Sequence, residues 1–378
     1  MLPGSRIWGV ALLGCTSIIP ILIGPIIVGV LVDYGGFTPS AAGLTSGYGA
    51  IGSVAVALVC ALTMHRLPLR KLAFWGLCLA ALSNLGAAFY FREQEIFFAL
   101  RILSALGDGA LFAAVMSSFA REKGSERCYG LFMMLQFGIA GIGLWALPTF
   151  LPHMNVTQLY LGFMVSQLLV LPLIVLLPAQ AADVVGISIR GSEWKLLLTV
   201  PAIAGLFALC FNESSNIATD VYLERIALLA GLSDGEVGSS LGIASLLGVP
   251  GAFAILFVGS RFGHSLPVLV GVAIGAVALV GIMQAQSYNA FLIWTCIHSV
   301  TWAFTTPYIQ SLLADLDPGG AVVTAGGIAS GAGAGLGPAA ASMLVTADDY
   351  SGVLIVSMLA YLVTAIAIVV AGRSLRAH

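Results

Sequence analysis

The sequence predicts an all-α membrane protein with twelve transmembrane helices arranged as two six-helix pseudo-repeats. Three observations carry this expectation. Of the 378 residues, 59% are hydrophobic and only 8% are Asp, Glu, Lys or Arg, against ~25% charged residues in an ordinary soluble domain. So few charges cannot coat a chain of this size for water, so its outside must face lipid. The apolar residues also fall into twelve stretches near the ~20 residues a helix needs to cross a bilayer. These run over 7–32, 40–63, 72–90, 96–119, 129–150, 156–178, 196–222, 236–258, 266–286, 289–313, 320–345 and 350–371. Finally, the chain repeats itself at one offset. Gly36, Gly43, Gly47 and Arg66 recur as Gly231, Gly238, Gly242 and Arg261, each pair 195 positions apart. A parallel repeat of this kind divides the chain into 1–178, a polar cytoplasmic linker 179–195, and 196–378.

The first stretch is too long for a signal-peptide core and no cleavage pattern ends it, so it reads as a retained helix. Gly and Pro within several spans are tolerated where neighbours satisfy the freed backbone groups. Positive charge sets the orientation. With the N-terminus inside, every Lys and Arg except Arg92, Arg101 and Arg225 falls on the cytoplasmic side, and both termini are cytoplasmic. Short loops and termini point to a bacterial inner membrane. The sequon at Asn155 falls in an outer loop and reads as chance.

Between spans 2 and 3 stands ALTMHRLPLRK (61–71), and between spans 8 and 9 LFVGSRFGHS (256–265). Both segments resemble the loop motif G-x-L-x-D-R-x-G-R-K of the major facilitator superfamily. Arg66 fits its first basic position. Arg70 and Lys71 supply the later basic pair, one residue late because Leu69 intervenes, and Arg261 and Gly263 fit the second copy. His65 and Ser260 stand where the motif is acidic, and Pro68 where it has glycine. Together with topology and repeat, the resemblance extends over nearly the whole chain. It implies cytoplasmic gate loops carrying His65, Arg66, Arg70, Lys71, Arg261 and Gly263. It also implies a central cavity lined by helices 1, 4, 7 and 10. Span 5 carries Gly138, Gly141 and Gly143 but lacks the G-x-x-x-G-P pattern that resembles drug/proton antiporters.

Ionisable residues near the middle of a span are functional candidates, because an isolated charge there is costly. They fall on spans 4, 7 and 10. Arg101, Ser104 and Asp108 share one face of span 4, with Arg101 and Asp108 about 10 Å apart along the axis. Glu213, Asn216 and Asp220 share a face of span 7, beside Asn212. His298, Thr301, Trp302 and Thr305 share a face of span 10. Asp108 and Glu213 are the candidate proton or cation sites, since burial disfavours the charged carboxylate and lets an acid load and release a proton. The others are candidate substrate contacts. Competing readings are a structural pairing of Asp108, snorkelling of Arg101 and plain packing of His298 and Trp302.

In span 11, Gly327, Gly331 and Gly335 recur every fourth residue, which is helix-packing spacing. Neither a Rossmann fingerprint nor a P-loop is present. The six cysteines show no CxxC and no zinc spacing and read as packing residues. No basic run suits nucleic acid, and no HExxH or GxSxG suits an enzyme. No cofactor or metal is expected. The expected function is secondary active transport of a small organic solute by a monomer, proton-coupled, with export favoured. Mid-membrane acids outnumber bases, which favours a cationic or neutral amphipathic solute. The alternatives are a facilitative uniporter, an importer holding an organic anion on Arg101, a transporter-fold sensor and a membrane-embedded enzyme.

Overall fold

A computed structural model of the chain describes residues 4–63, 68–119, 125–150, 154–178, 194–258, 261–316 and 321–376. Among these residues there are helices and no strand. The first expected span is broken into α1 (Gly4–Thr16), α2 (Ile19–Leu22) and α3 (Gly24–Asp33). The cause is local. Pro20 and Pro25 remove backbone donors, and the Thr16 and Ser17 hydroxyls donate to the carbonyls of Leu13 (2.8 Å) and Gly14 (2.6 Å), competing with the helix ladder. Then follow α4 (Pro39–Thr63), α5 (Leu69–Tyr90), α6 (Gln94–Phe119), α7 (Ser125–Phe150) and α8 (Val156–Val170). Pro172 tightens the continuation of α8 into a 3-10 turn over Leu171–Leu176. After the short α9 (Trp194–Leu197) come α10 (Val200–Leu229), α11 (Asp234–Val258), α12 (Ser265–Gln284), α13 (Tyr288–Leu316), α14 (Ala321–Ser342) and α15 (Ser351–Arg376). Each expected span thus has a helical counterpart. The linker expected over 179–195 lies outside the described residues except for Trp194 and Lys195.

Among the described residues, seven helices are long and apolar enough to cross a membrane by themselves: α4, α5, α6, α8 with its 3-10 turn, α11, α12 and α15. Helices α10 and α13, which carry Glu213, Asp220 and His298, are not among them. α10 also runs seven residues beyond the expected end at 222, which brings Glu224 and Arg225 onto the helix.

The 195-residue repeat has a conformational cause. Gly36 and Gly231 both take the left-handed backbone (φ 72° and 84°) where one helix ends and the next begins, a conformation that costs other residues more. Two residues on, Thr38 accepts from the Ala41 amide (3.1 Å), and Ser233 donates from its amide to Glu236 (2.9 Å). Both copies start the following helix with a side-chain cap.

Packing is shared at one end and divided at the other. A single core at the end where α3 meets α4 draws on both parts of the chain, with Ile26, Phe97 and Tyr160 against Tyr222, Ile226 and Tyr350. Towards the opposite end, apart from a small cluster of Val56, Cys60 and Ala110, the described residues form two cores. One contains Leu13, Leu77, Leu111 and Phe132, the other Leu209, Val268, Ile309 and Ile368. The bundle is therefore closed at the first end and divided at the second.

Beyond that shared core, small residues let helices of the two parts approach closely. α4 packs on α14 and α7 on α11. A Cβ on Gly335 would run into Ala50 of α4, and one on Gly331 would lie 3.5 Å from Val54. Gly327 departs from the expected packing stripe. It meets nothing within 4 Å and lines a cavity instead. The other side of α14 carries Gly333 and Gly337, which press on the carbonyls of Cys210 and Ser214 in α10. A branched side chain there has only backbone to push against. Gly337→Val is expected to lose about 1–3 kcal/mol by overpacking, read as a lower melting temperature in detergent than the wild-type chain. Gly327→Val is expected to leave it within about a degree or two.

Candidate functional site

On α6, Ser104 and Asp108 stand one turn apart and face inward. Asp108 accepts from Gln167 Nε2 of α8 (2.9 Å) at Oδ1 and lies 3.4 Å from the Ser104 hydroxyl at Oδ2. Asn84 of α5 joins Gln167 and Ser104. Sequence reasoning missed Asn84 and Gln167. Each is a lone amide in an apolar span, and no spacing within one helix reveals that α5 and α8 bring them to Asp108. Arg101, a turn and three residues before Asp108, is buried and stacks over the Tyr160 ring at 5.7 Å. Its Nε and Nη1 find no hydrogen-bond partner, and no ion pair joins it to Asp108 among the described residues.

Glu213 is held from α13. Its Oε1 accepts from Thr306 Oγ1 (2.9 Å) and from Trp302 Nε1 (3.4 Å). Thr306 in turn accepts from Asn212 Nδ2 (3.0 Å). Asn216 points the other way, donating to the Asn212 carbonyl (2.7 Å) and accepting from Tyr361 of α15 (2.8 Å). His298 is 1% exposed, and neither ring nitrogen makes a well-formed hydrogen bond among the described residues. Thr301 and Thr305 spend their hydroxyls on carbonyls of their own helix, those of His298 and Thr301 (2.8 Å each).

A partly open cavity of about 940 Å³ lies between the two parts of the chain. It reaches from Asp220 and Leu223 at its deep end to Met116, Ser117 and Gln310 near the far ends of α6 and α13. Of the expected contacts, Asp108, Glu213, Asp220 and Trp302 lie on its wall. Arg101, Ser104, Asn212, Asn216, His298, Thr301 and Thr305 are packed behind it. The wall is mostly apolar, with Phe112, Phe132 and Phe137 beside the acids, and carries no Lys, Arg or His among its described residues.

The deep end is locked by charges that sequence reasoning did not pair. Arg225 of α10 grips Asp33 of α3 with two parallel bonds (2.7 and 2.6 Å) and Glu224 with two more (2.6 and 2.7 Å). Paired forks of this kind are among the stronger ionic contacts. Glu224 is 4% exposed, so its charge depends on Arg225. Tyr222 adds a bond to the Pro39 carbonyl (3.4 Å). The signal available in sequence was the Glu-Arg pair at the end of a polar helix. It could not be matched to an aspartate nearly two hundred residues away.

The expected gate loops are partly described. His65 and Arg66 lie outside the described residues. Arg70 donates to the carbonyls of Leu177 (2.7 Å) and Val175 (2.9 Å), and Arg6 to that of Leu176 (2.7 Å). Both therefore satisfy the open end of the 3-10 turn rather than reach across the bundle. Lys71 and Arg261 are exposed. Gly263 takes φ 66°, which explains a glycine there. Asn155 caps α8 in a reciprocal pair with Gln158 (2.9 Å both ways), so its place in a sequon has a structural reason.

The family model described as Major Facilitator Superfamily matches residues 8–333. The chain belongs to that superfamily. The same fold is seen in the crystal structure of the nucleoside transporter NupG, with a TM-score of 0.74 at 13% identity over 97% of this chain and 99% of that one. No curated protein sequence matches the chain significantly. The protein is accordingly an all-α integral membrane transporter of a small solute, not an enzyme.

Removing the Arg225 fork should loosen the deep end of this facilitator. A cysteine placed at Leu223 is expected to react several-fold faster with a membrane-impermeant maleimide in an Arg225→Gln background than beside the native arginine. Equal rates would show that packing alone holds that end.

Proposed function

We propose that this transporter is a proton-coupled secondary transporter that moves a cationic or neutral amphipathic organic solute by alternating access. One observation carries the reading. The cavity has the volume of a drug-sized ligand site, an apolar and aromatic wall, and three carboxylates with no cation among the described lining residues. A carboxylate on such a wall responds to whatever fills the cavity, because a positive or polar solute and a proton compete to neutralise it. Asp108 and Glu213 are the proton or cation sites, held on opposite walls. Asp220 and Trp302 contact solute. An organic anion is less well served, since Arg101 sits behind the wall rather than on it.

In this reading residues 1–178 and 196–378 rock as two units about the closed end. The divided end faces the cytoplasm, since Arg6, Arg70, Lys71, Arg261 and Arg373 gather there. A bacterial inner membrane suits the short loops.

The test begins with a thermal-shift screen of purified protein against cationic and neutral amphipaths, since a ligand of the folded state raises its stability. Hits are then followed in proteoliposomes with an imposed pH gradient. Asp108→Asn and Glu213→Gln are each expected to abolish accumulation against a gradient while the protein still reaches the membrane. Full gradient-driven accumulation by both variants would remove the assignment. Equilibration without accumulation by the wild-type chain would make it a uniporter.

A further inference from the structure

The groups around Asp108 form a closed ring. Asn84 Nδ2 donates to Gln167 Oε1 (3.1 Å), and Gln167 Nε2 donates to Asp108 Oδ1 (2.9 Å). The Ser104 hydroxyl lies 3.4 Å from Asp108 Oδ2 and 3.3 Å from Asn84 Oδ1. Three helices, α5, α6 and α8, supply the four members.

Such a ring counts protons. Each amide donates on one link and accepts on the other, and Ser104, with one hydroxyl proton, does the same. An ionised Asp108 accepts on both its links. Three protons then serve four links, and one link is left as oxygen against oxygen. With a proton on Asp108 all four links form in one direction. Turning both amides over reverses that direction and leaves the count unchanged, so the result does not depend on how the amide atoms are assigned. Water cannot mend the open link. Asn84 is 0% exposed and Ser104 and Gln167 1% each, while Asp108 alone touches the cavity at 6%. A buried acceptor left without a donor is costly.

We propose that this ring senses the protonation of Asp108, that the arrangement seen here is completed by a proton on its carboxyl, and that Asn84 and Gln167 are positioning residues that set the pH at which that proton loads. This rests on the reading of Asp108 as a proton site. Other titratable groups leave the ring to itself. Arg101 acts on Asp108 only through space, and Tyr160 of α8 lies under Arg101. On the helices packed against α6, Cys15 belongs to α1, Tyr48 and Cys60 to α4, Cys78 and Tyr90 to α5, and Cys128 to α7. Arg6 and Arg70 are bound to carbonyls at the helix ends, Lys71 is exposed beside them, and Glu213 and Asp220 stand across the cavity. These fields are common to the wild-type chain and the ring variants below, so a difference between them isolates the ring.

The test titrates the Asp108 carboxyl band by infrared difference spectroscopy, for the full chain in lipid nanodiscs, each protein against its own Asp108→Asn counterpart. Asn84→Leu removes the acceptor that competes for the Ser104 proton, so the carboxylate no longer strands a partner. Its midpoint is expected to fall by about one pH unit. Gln167→Leu takes a donor from the carboxylate, and its midpoint is expected to rise by about as much. Opposite shifts are the signature. Unmoved midpoints, or two shifts of the same sign, would overturn the proposal. Should either variant fail to fold, the wild-type titration still decides: side-chain amide bands must change in step with the carboxyl band, and amide bands indifferent to it would falsify the ring. Loss of the wider reading is separate. If Asp108→Asn still accumulates solute against a gradient, Asp108 is not the coupling site. If it does not and the midpoints stay put, the ring alone is wrong.

Discussion

The cost of a buried charge governs this molecule. A chain with so few charged residues has an apolar outside, and each acid placed at mid-membrane must be met from within by donors, cations or a wet cavity. Asp108 is met by an amide and faces a hydroxyl, Glu213 by a hydroxyl and an indole, and Glu224 by a guanidinium. Asp220, without a hydrogen-bonded partner among the described residues, sits at the cavity's deep end. α10, which carries Glu213, Asp220 and Glu224, and α13, which supplies the donors to Glu213, are not among the helices that composition alone marks as membrane spans, because burial inside the bundle replaces lipid as their solvent.

This constraint also explains which features were legible in the sequence. Lipid contact imposes long apolar runs, so the spans could be read off directly, with α1 to α3 as the exception because two prolines interrupt a run whose hydropathy never drops. Left-handed backbone at Gly36 and Gly231 must be met by residue type, so the repeat was visible as glycines at a fixed offset. Mid-span acids stand out against an apolar background, and Asp108 and Glu213 do line one cavity.

Partners across helices were not legible. Helical spacing says which residues share a face, not how far that face is turned from the cavity. Arg101, His298 and Asn216 share faces with wall residues yet lie behind the wall. The same limit hid Asn84 and Gln167, whose significance is their meeting with Asp108, and it hid Asp33, which reads as a loop residue until Arg225 is placed beside it. Gly333 and Gly337 were overshadowed by the more regular stripe of Gly327, Gly331 and Gly335, although they make the tighter backbone contacts.

The polar bonds are distributed in a way that bears on motion. Asp108 has its hydrogen-bonding neighbours on α6 and α8, and Glu213 takes its donors from α13, so neither acid is tied to the opposite part of the chain. Among the described residues, the side-chain hydrogen bonds that join 4–178 to 194–376 are those of Arg225 to Asp33 and of Tyr222 to Pro39. The rest of that interface is apolar packing, with small residues where α4 and α14 approach most closely, and it slides at little electrostatic cost. A rocking motion of the proposed kind would leave each acid's shell intact and would have to break the bonds at the closed end. Opening that end exposes Asp33 and Arg225 to water, which can solvate both, but strands Glu224 unless Arg225 stays with it. Arg225 and Glu224 are neighbours on one helix and can move together, so the fork to Asp33 is the part of the network free to release. The adjacent pair keeps the buried charge neutral in either conformation, and the contact that opens is the one whose aspartate is already 44% exposed.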